Sequence, residues 1–481
     1  LTIPDKKHFL PKPKKIALIL LISIFIILLF LRIENTYTYR RFSTHRTFSG
    51  DEPKYMRMAH SLAQDGHLDL TEIWGSKQEM EKIKKEALDS GSRKFGDFYI
   101  IGINGGIYPM HMPGTAAVIL PGYYLDFILS PHVPGEVPEN LPFLPLSLYF
   151  TRLSLILLAI VTLFLLVRLL RLHFHSLFFM SVLVFLFVLN SPFAGYTTKV
   201  YPSLPATFFC LLLLNCILVP FKNKIINDFF FIFGIGFLPW LHQRFIFLAL
   251  GLFLAFLILR EKAKIPMKRV IVISLILMIL SLFYFHYFYS ITGNPSPLSI
   301  SKAFGKVYAR WNILPLGFFG NFFSRVASII WTYPWTILFF FGIYWGFKKD
   351  WKLSAVLLLI GIPYYLMCSA AVSWDGVARP VGRYLLPLFP ILLIFTGITI
   401  QDLFAKFSLQ KLFFYFGYIL LIFLNKIFWF IDFQFSYSYI QPADLVWIIK
   451  SIFIILFLFL SIYLSEKYIF PKDSKELVQT G

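Results

Sequence analysis

Few residues in this chain have the type and spacing to do chemistry. Asp51 and Glu52 stand side by side in Phe48-Ser49-Gly50-Asp51-Glu52-Pro53-Lys54-Tyr55, ahead of an apolar-patterned stretch with Ala59, Leu62 and Ala63 at helical spacing. A carboxylate can take a proton from a hydroxyl. If partly buried, Asp51 should titrate above the usual carboxylate range and gain strength as a base. The plain structural alternative is an N-cap, since Pro53 suits a first helical turn and acidic residues are favoured there. Lys54 and Arg57 follow on the same predicted helix, and either reads as a counter-ion to Asp51, the preferred reading, or as a phosphate contact.

A second group carries positive charge. Pro239-Trp240-Leu241-His242-Gln243-Arg244 lies between two apolar runs, and Trp374-Asp375-Gly376 leads through Arg379 to Pro380-Val381-Gly382-Arg383-Tyr384. Guanidinium groups present planar, bidentate donors to phosphate. Their structural alternative is snorkelling to an interface, or, for Arg379 and Arg383, pairing with Asp375. His111, in His111-Met112-Pro113-Gly114, and His242 are of a type that holds a phosphate oxygen or a metal, or makes a plain structural hydrogen bond. No ligand spacing singles out a metal site, so the cofactor is unknown and a divalent metal is left open.

The elements that must position these residues are apolar helices. Of 481 residues 58% are hydrophobic and only 15% charged, which excludes an ordinary soluble globular chain. Runs of spanning length fall near 16–33, 147–170, 174–190, 203–220, 226–240, 244–260, 269–290, 327–346, 352–371, 384–401, 411–431 and 446–465. The first, behind Lys6, Lys7, Lys12, Lys14 and Lys15 and without a small-residue cleavage site, reads as a retained signal anchor. Residues 115–129, bracketed by Pro113, Pro121 and Pro131, read as a juxtamembrane or re-entrant helix, because a span there would reverse every later loop. Cys210, Cys216 and Cys368 all lie within apolar segments, so no external disulfide framework is encoded.

The formal charge of +20 could suggest nucleic acid, but the basic residues sit in short clusters between apolar runs, a topology signal. No nucleic-acid partner is expected. Lys and Arg gather at the N-terminus, at Arg168 with Arg171, Lys222 with Lys224, Arg260 to Arg269, Lys348 with Lys349 and Lys352, Lys406 with Lys411, and Lys467 to Lys475, which assigns that side to the cytoplasm. The other side holds the segment 34–145 and the connections 191–202, 291–326, 372–383 and 432–444. The stretch from Lys77 to Lys94 reads as a solvated outer helix, and 291–326 is long enough for a lid.

These motifs, in this order and on one side, resemble the GT-C superfamily of membrane glycosyltransferases, in particular the protein O-mannosyltransferases and the lipid A aminoarabinose transferase. The resemblance runs from the first span through Tyr384; the last two spans resemble nothing in that family. It implies an all-α polytopic membrane protein, a GT-C-like bundle of about 12 to 13 transmembrane helices with a large first extracytoplasmic loop containing juxtamembrane helices. The divisions are a cytoplasmic N-terminus 1–15, the first helix 16–33, the extracytoplasmic loop 34–145, the bundle 146–465 and a cytoplasmic tail 466–481.

The resemblance implies transfer of a sugar, with inversion, from a polyprenyl-phosphate lipid to a glycan, lipid or protein acceptor on the extracytoplasmic face of a bacterial inner membrane. Asp51 would be the catalytic base and Glu52 would orient the acceptor or neighbouring backbone. His111, His242, Arg244, Arg379, Arg383 and Lys54 would hold the donor and its lipid phosphate. Two other classes compete. An O-antigen ligase or polymerase would resemble sites built on outer arginines and a histidine without the early acidic pair. A lipid-linked sugar transporter or flippase would carry charges inside its spans, which here hold almost none.

Overall fold

The computed structural model describes residues 51–73, 81–82, 84–86, 89, 93–95, 98–129, 148–174, 176–189, 191–260, 265–303, 310–324, 328–371 and 382–405. The expected spans at 16–33, 411–431 and 446–465 lie outside the described residues, as does Arg379, and Lys77 to Lys94 is described only in part.

Chain order begins with α1 (Glu52–Gln64), a 3-10 turn (Thr71–Ile73), and strands β1 (Lys94–Phe95), β2 (Tyr99–Ile101) and β3 (Ile107–Pro109). The strands form one antiparallel sheet in the order β1-β2-β3, with Ile100 opposite Tyr108. This sheet amends the all-α expectation. Asp69 fixes it to the chain behind α1, because its Oδ1 accepts from the Ile107 N–H at 2.9 Å and the Thr71 N–H at 3.0 Å.

The helical body follows. It comprises α2 (Gly114–Leu129), α3 (Tyr149–His173), α4 (Leu177–Leu189), α5 (Phe193–Tyr196), α6 (Ser203–Leu218), α7 (Lys224–Leu241), α8 (Phe245–Leu259) and α9 (Met267–Thr292). Then come α10 (Ser299–Ala303), α11 (Leu314–Phe323), α12 (Ile329–Thr332), α13 (Leu338–Ser369), a 3-10 segment (Arg383–Leu388) and α14 (Phe389–Ala405).

Among the described residues five stretches are long and apolar enough to cross a membrane: Tyr149–His173, Lys224–Leu241, Met267–Thr292, Pro334–Ser369 and Arg383–Asp402. The expected spans 327–346 and 352–371 fall on either side of a break in α13 at Asp350, whose φ of −149° and ψ of 89° leave the helical region, so α13 is two helices meeting at a kink. Asp350 Oδ1 accepts from the Leu353 N–H at 3.1 Å, so the second half of α13 starts with a side-chain cap. Helix α2, at 16 residues, extends about 24 Å, short of a hydrocarbon core of about 30 Å. Within the region 291–326 lie the short helices α10 and α11.

The helices pack on apolar faces: α3 against α2 and α6, α8 against α13, and α13 against α14. Most of the buried apolar side chains of this core are Leu, Ile, Phe and Val, with Tyr196, Tyr201 and Tyr364 fully enclosed. Asp126 pins the start of α3 to α2 through its carboxylate, which accepts from the Phe150 and Thr151 N–H groups at 3.0 and 2.7 Å. Helix α9 is different, since most of its side chains face outward: Ile271, Val272, Leu275, Ile279, Leu282 and Phe283 are exposed and apolar. That composition suits lipid and does not suit water.

Basic residues of the expected cytoplasmic connections tie neighbouring elements together: Arg168 donates to the Val219 carbonyl at 2.5 Å, Arg269 forms an ion pair with Asp228, and Lys349 donates to Gln401 at 3.2 Å. The acidic pair and the two arginine-bearing motifs meet around Asp51.

Candidate active site

Asp51 stands at the N-cap position of α1, with φ −94° and ψ −9°, yet its side chain makes no capping bond. The carboxylate is engaged instead by side chains. Oδ1 receives the Lys54 ammonium at 2.9 Å and His111 Nε2 at 3.2 Å. Oδ2 lies 3.7 Å from Arg383 Nη1. Each partner has its own support. Lys54 rests over the Phe98 ring, 3.1 Å from its centroid, and Arg383 Nη2 donates to the Tyr384 hydroxyl at 2.9 Å.

The acidic pair divides its labour. Glu52 is buried, and its Oε1 accepts from the Val200 N–H at 2.9 Å. That bond ties the start of α1 to the segment between α5 and α6. Asp51 and Glu52 are adjacent in sequence, yet Asp51 Oδ1 faces side-chain donors while Glu52 Oε1 faces a backbone N–H. Further along α1, Arg57 donates to the Tyr99 hydroxyl at 2.6 Å and so joins the helix to the sheet.

His111 reaches Asp51 because its loop sits tightly on the α7–α8 turn. At Gly114 a Cβ would fall 2.5 Å from the Trp240 carbonyl carbon and oxygen. Only glycine permits that approach, and it brings the His111 loop against the motif that carries His242 and Arg244. The imidazole is packed edge-on to Tyr55, with centroids 5.4 Å apart, and its Nδ1 is buried with no partner among the described residues.

Arg244 does not snorkel. It is 8% exposed, stacks its guanidinium 3.8 Å from the Tyr384 ring centroid, and has no carboxylate within ion-pair distance among the described residues. Its Nε has no hydrogen-bond partner there, and neither does the Nε of Arg383. Arg383 is 7% exposed and packs over both Tyr201 and Tyr384, at 4.9 and 4.8 Å. His242 ends α7, and its Nδ1 accepts from the Arg244 N–H at 3.3 Å.

Electrostatics overturn one expectation. Burial does push the Asp51 carboxyl up, but the His111 hydrogen bond and the Lys54 ammonium outweigh it and hold the group well below the usual carboxylate range. The sequence-based expectation had Lys54 as a counter-ion but lacked the His111 hydrogen bond and the nearby Arg383, which only folding supplies. Burial also lowers the His111 imidazole, although the Asp51 carboxylate pulls it the other way. It lowers His242 further, with Arg244 adding to the effect. Both rings are then neutral at pH 7, and the nitrogen of His111 facing the carboxylate carries the proton.

The structure therefore brings together Asp51, Lys54, His111, His242, Arg244 and Arg383. Arg379 lies outside the described residues. Sequence reasoning missed the aromatic walls: Tyr201 and Phe98 carry no motif, and Tyr384 entered only as the last residue of one. Their only signal was position, Tyr201 closing an outer connection and Phe98 lying within the first outer loop. No group of three or more His, Cys, Asp and Glu that could hold a metal occurs among the described residues.

No family model matches the chain, and no curated protein does. Among solved structures, the chain is similar to ArnT from Cupriavidus metallidurans in two crystal structures. In the apo state the identity is 12% and the TM-score 0.47. Bound to undecaprenyl phosphate they are 11% and 0.48. Each match covers 82% of this chain, which spans 62% of the length of either ArnT chain. A likeness of that degree carries no argument about what this chain binds, so the case for function rests on its own residues.

Chemically, the site joins a carboxylate with one loosely held oxygen to a pair of buried guanidinium groups that share an aromatic ring. Lys54, Arg244 and Arg383 are buried cations, while one oxygen of the Glu52 carboxylate accepts from the Val200 backbone. A buried cation without a counter-charge is costly. An anion arriving beside Tyr384 would relieve that cost at Arg244.

Proposed function

We propose that the protein is a membrane glycosyltransferase that moves a sugar from a polyprenyl-phosphate lipid to a hydroxyl-bearing envelope acceptor, with inversion. The observation that carries this reading is Arg244: buried, stacked on Tyr384, without a carboxylate among the described residues, and next to the Arg383 that also faces Asp51. A site of this build accepts a phosphate and a nucleophile side by side.

In the proposed reaction the acceptor oxygen bonds to the anomeric carbon. The bond from that carbon to the phosphate oxygen breaks, and its electron pair stays on the phosphate. The acceptor proton goes to Asp51 Oδ2, the oxygen not engaged by His111 and Lys54. Arg244 and Arg383 meet the charge that develops on the leaving phosphate, a form of stabilisation that grows toward the transition state. An arriving phosphate also competes for Lys54 and Arg383. Sharing those cations releases Asp51 toward its ordinary range, so the carboxylate becomes a better base once the donor is in place.

The bundle around the site is proposed to lie in a bacterial inner membrane, with Asp51 on the extracytoplasmic side and the basic end in the cytoplasm. Loop charge supports that orientation. The divisions at 1–15, 16–33, 34–145, 146–465 and 466–481 are proposed on the same basis.

The test is purified protein in lipid vesicles, given a panel of synthetic undecaprenyl-phosphate hexoses and pentoses with envelope extracts as acceptors. Asp51→Asn is expected to lower turnover by about a hundredfold or more while leaving expression and thermal unfolding intact. Full transfer by Asp51→Asn would remove the assigned mechanism. Absence of transfer by the wild-type chain, together with movement of the lipid across the vesicle, would replace the reading with a transporter.

A further inference from the structure

The two oxygens of Asp51 are not equivalent. Oδ1 has the His111 and Lys54 donors at 3.2 and 2.9 Å, whereas among the described residues Oδ2 has only Arg383 at 3.7 Å, beyond hydrogen-bond reach. The carboxylate makes no capping bond either: Pro53 has no N–H to offer, and the Lys54 and Tyr55 N–H groups donate to the Asp51 carbonyl at 3.1 and 3.4 Å. Lys54 alone does not explain that orientation. It is three residues away on the same helix, on a flexible stem, and moves with α1. His111 comes from a different element and is fixed from several sides.

The ring is wedged edge-on to Tyr55 and tilted against Phe98, with centroids 5.4 and 6.3 Å apart. Its loop is seated on the Trp240 backbone through Gly114. With Nδ1 unpartnered, the bond to Asp51 is the one polar contact of the imidazole among the described residues. The charged and titratable groups around it are Asp51, Lys54 and Tyr55 of α1, His242 of the α7–α8 turn, and Arg383 of the 3-10 segment. The cations among them oppose an imidazolium there, and a neutral ring still donates through Nε2.

We infer that His111 is a positioning residue for the transfer, and not a ligand of the lipid phosphate: its Nε2–H holds Oδ1 of Asp51 so that Oδ2 is the oxygen presented to the acceptor hydroxyl. This rests on the glycosyltransferase reading. It departs from the sequence-based expectation, which grouped His111 with the donor-binding residues.

His111→Ala and His111→Gln in the full chain, in vesicles, test the inference. The alanine variant removes the donor, and the glutamine variant offers a carboxamide N–H in its place. For His111→Ala, kcat should fall by about a hundredfold, the scale of a misplaced reacting group, while undecaprenyl phosphate binds as it does to the wild type. The acid limb of the rate profile should move to higher pH, because Asp51 loses a hydrogen bond that favours its charged form. His111→Gln should recover most of kcat and return the acid limb toward the wild-type position.

Weakened undecaprenyl phosphate binding with kcat and the acid limb unchanged would overturn the inference and make His111 a phosphate ligand. Should His111→Ala not fold, His111→Gln decides alone: near-wild-type turnover supports positioning, and lost turnover overturns it. Full activity of Asp51→Asn, by contrast, would remove the assigned mechanism whatever the His111 variants do.

Discussion

Glu52 Oε1 accepts a hydrogen bond from the Val200 N–H at 2.9 Å, although the residues lie on elements far apart in the chain. The bond is buried, and it separates the role of Glu52 from that of its neighbour.

The first prediction follows from that separation. Glu52→Ala would leave the Val200 N–H buried and unsatisfied, at a cost of about 1–3 kcal/mol. Glu52→Gln keeps an acceptor oxygen and should recover most of that loss. Thermal unfolding in detergent should therefore rank wild type, then glutamine, then alanine, with turnover following the same order. A Glu52→Gln variant that is fully stable but inactive would show that Glu52 acts directly in the chemistry.

Arg244 supports a second prediction. Lysine keeps the charge but loses the planar group that stacks on Tyr384 and the forked donors that fit phosphate. Losing one charge-assisted hydrogen bond is worth about 1.5–3 kcal/mol, or roughly ten- to a hundredfold in affinity. Undecaprenyl phosphate binding to Arg244→Lys should weaken by that factor, and binding to Arg244→Gln by more. Unchanged binding in both variants would place the phosphate elsewhere.

The third prediction concerns pH. In the free protein Asp51 is held well below the usual carboxylate range, so it stays ionised into strongly acidic solution. Bound donor phosphate is expected to draw on Lys54 and Arg383, which raises the Asp51 pKa. Protonation then begins at a higher pH, and protonated Asp51 cannot act as a base. The acid limb of kcat, which reports the donor-bound enzyme, should lie at higher pH than that of kcat/KM for the donor, which reports the free enzyme. Coincident limbs would mean that the cations stay with Asp51 throughout turnover.

Much of this protein is legible in its sequence, because hydropathy and helical period are local properties. The apolar runs near 147–170, 226–240 and 269–290 correspond to α3, α7 and α9, since burying or solvating a helix depends first on its own side chains. The motifs holding Asp51, His111, His242, Arg244 and Arg383 could be picked out because charged residues beside apolar runs are rare there. The small sheet was not legible: its strands are two or three residues long, too short for an alternating pattern to register.

What the tertiary structure alone decided is how the charges act on one another. Sequence could propose Asp51 as a buried base with a raised pKa, but the field at its carboxylate is set by Lys54, His111 and Arg383, which meet only when α1, the Gly114 turn and the 3-10 segment pack together. Nor could sequence show that Glu52 turns to the Val200 backbone, or that Arg244 is buried on Tyr384. Coulomb and hydrogen-bond energies depend on distances between side chains in space, and those distances belong to the fold.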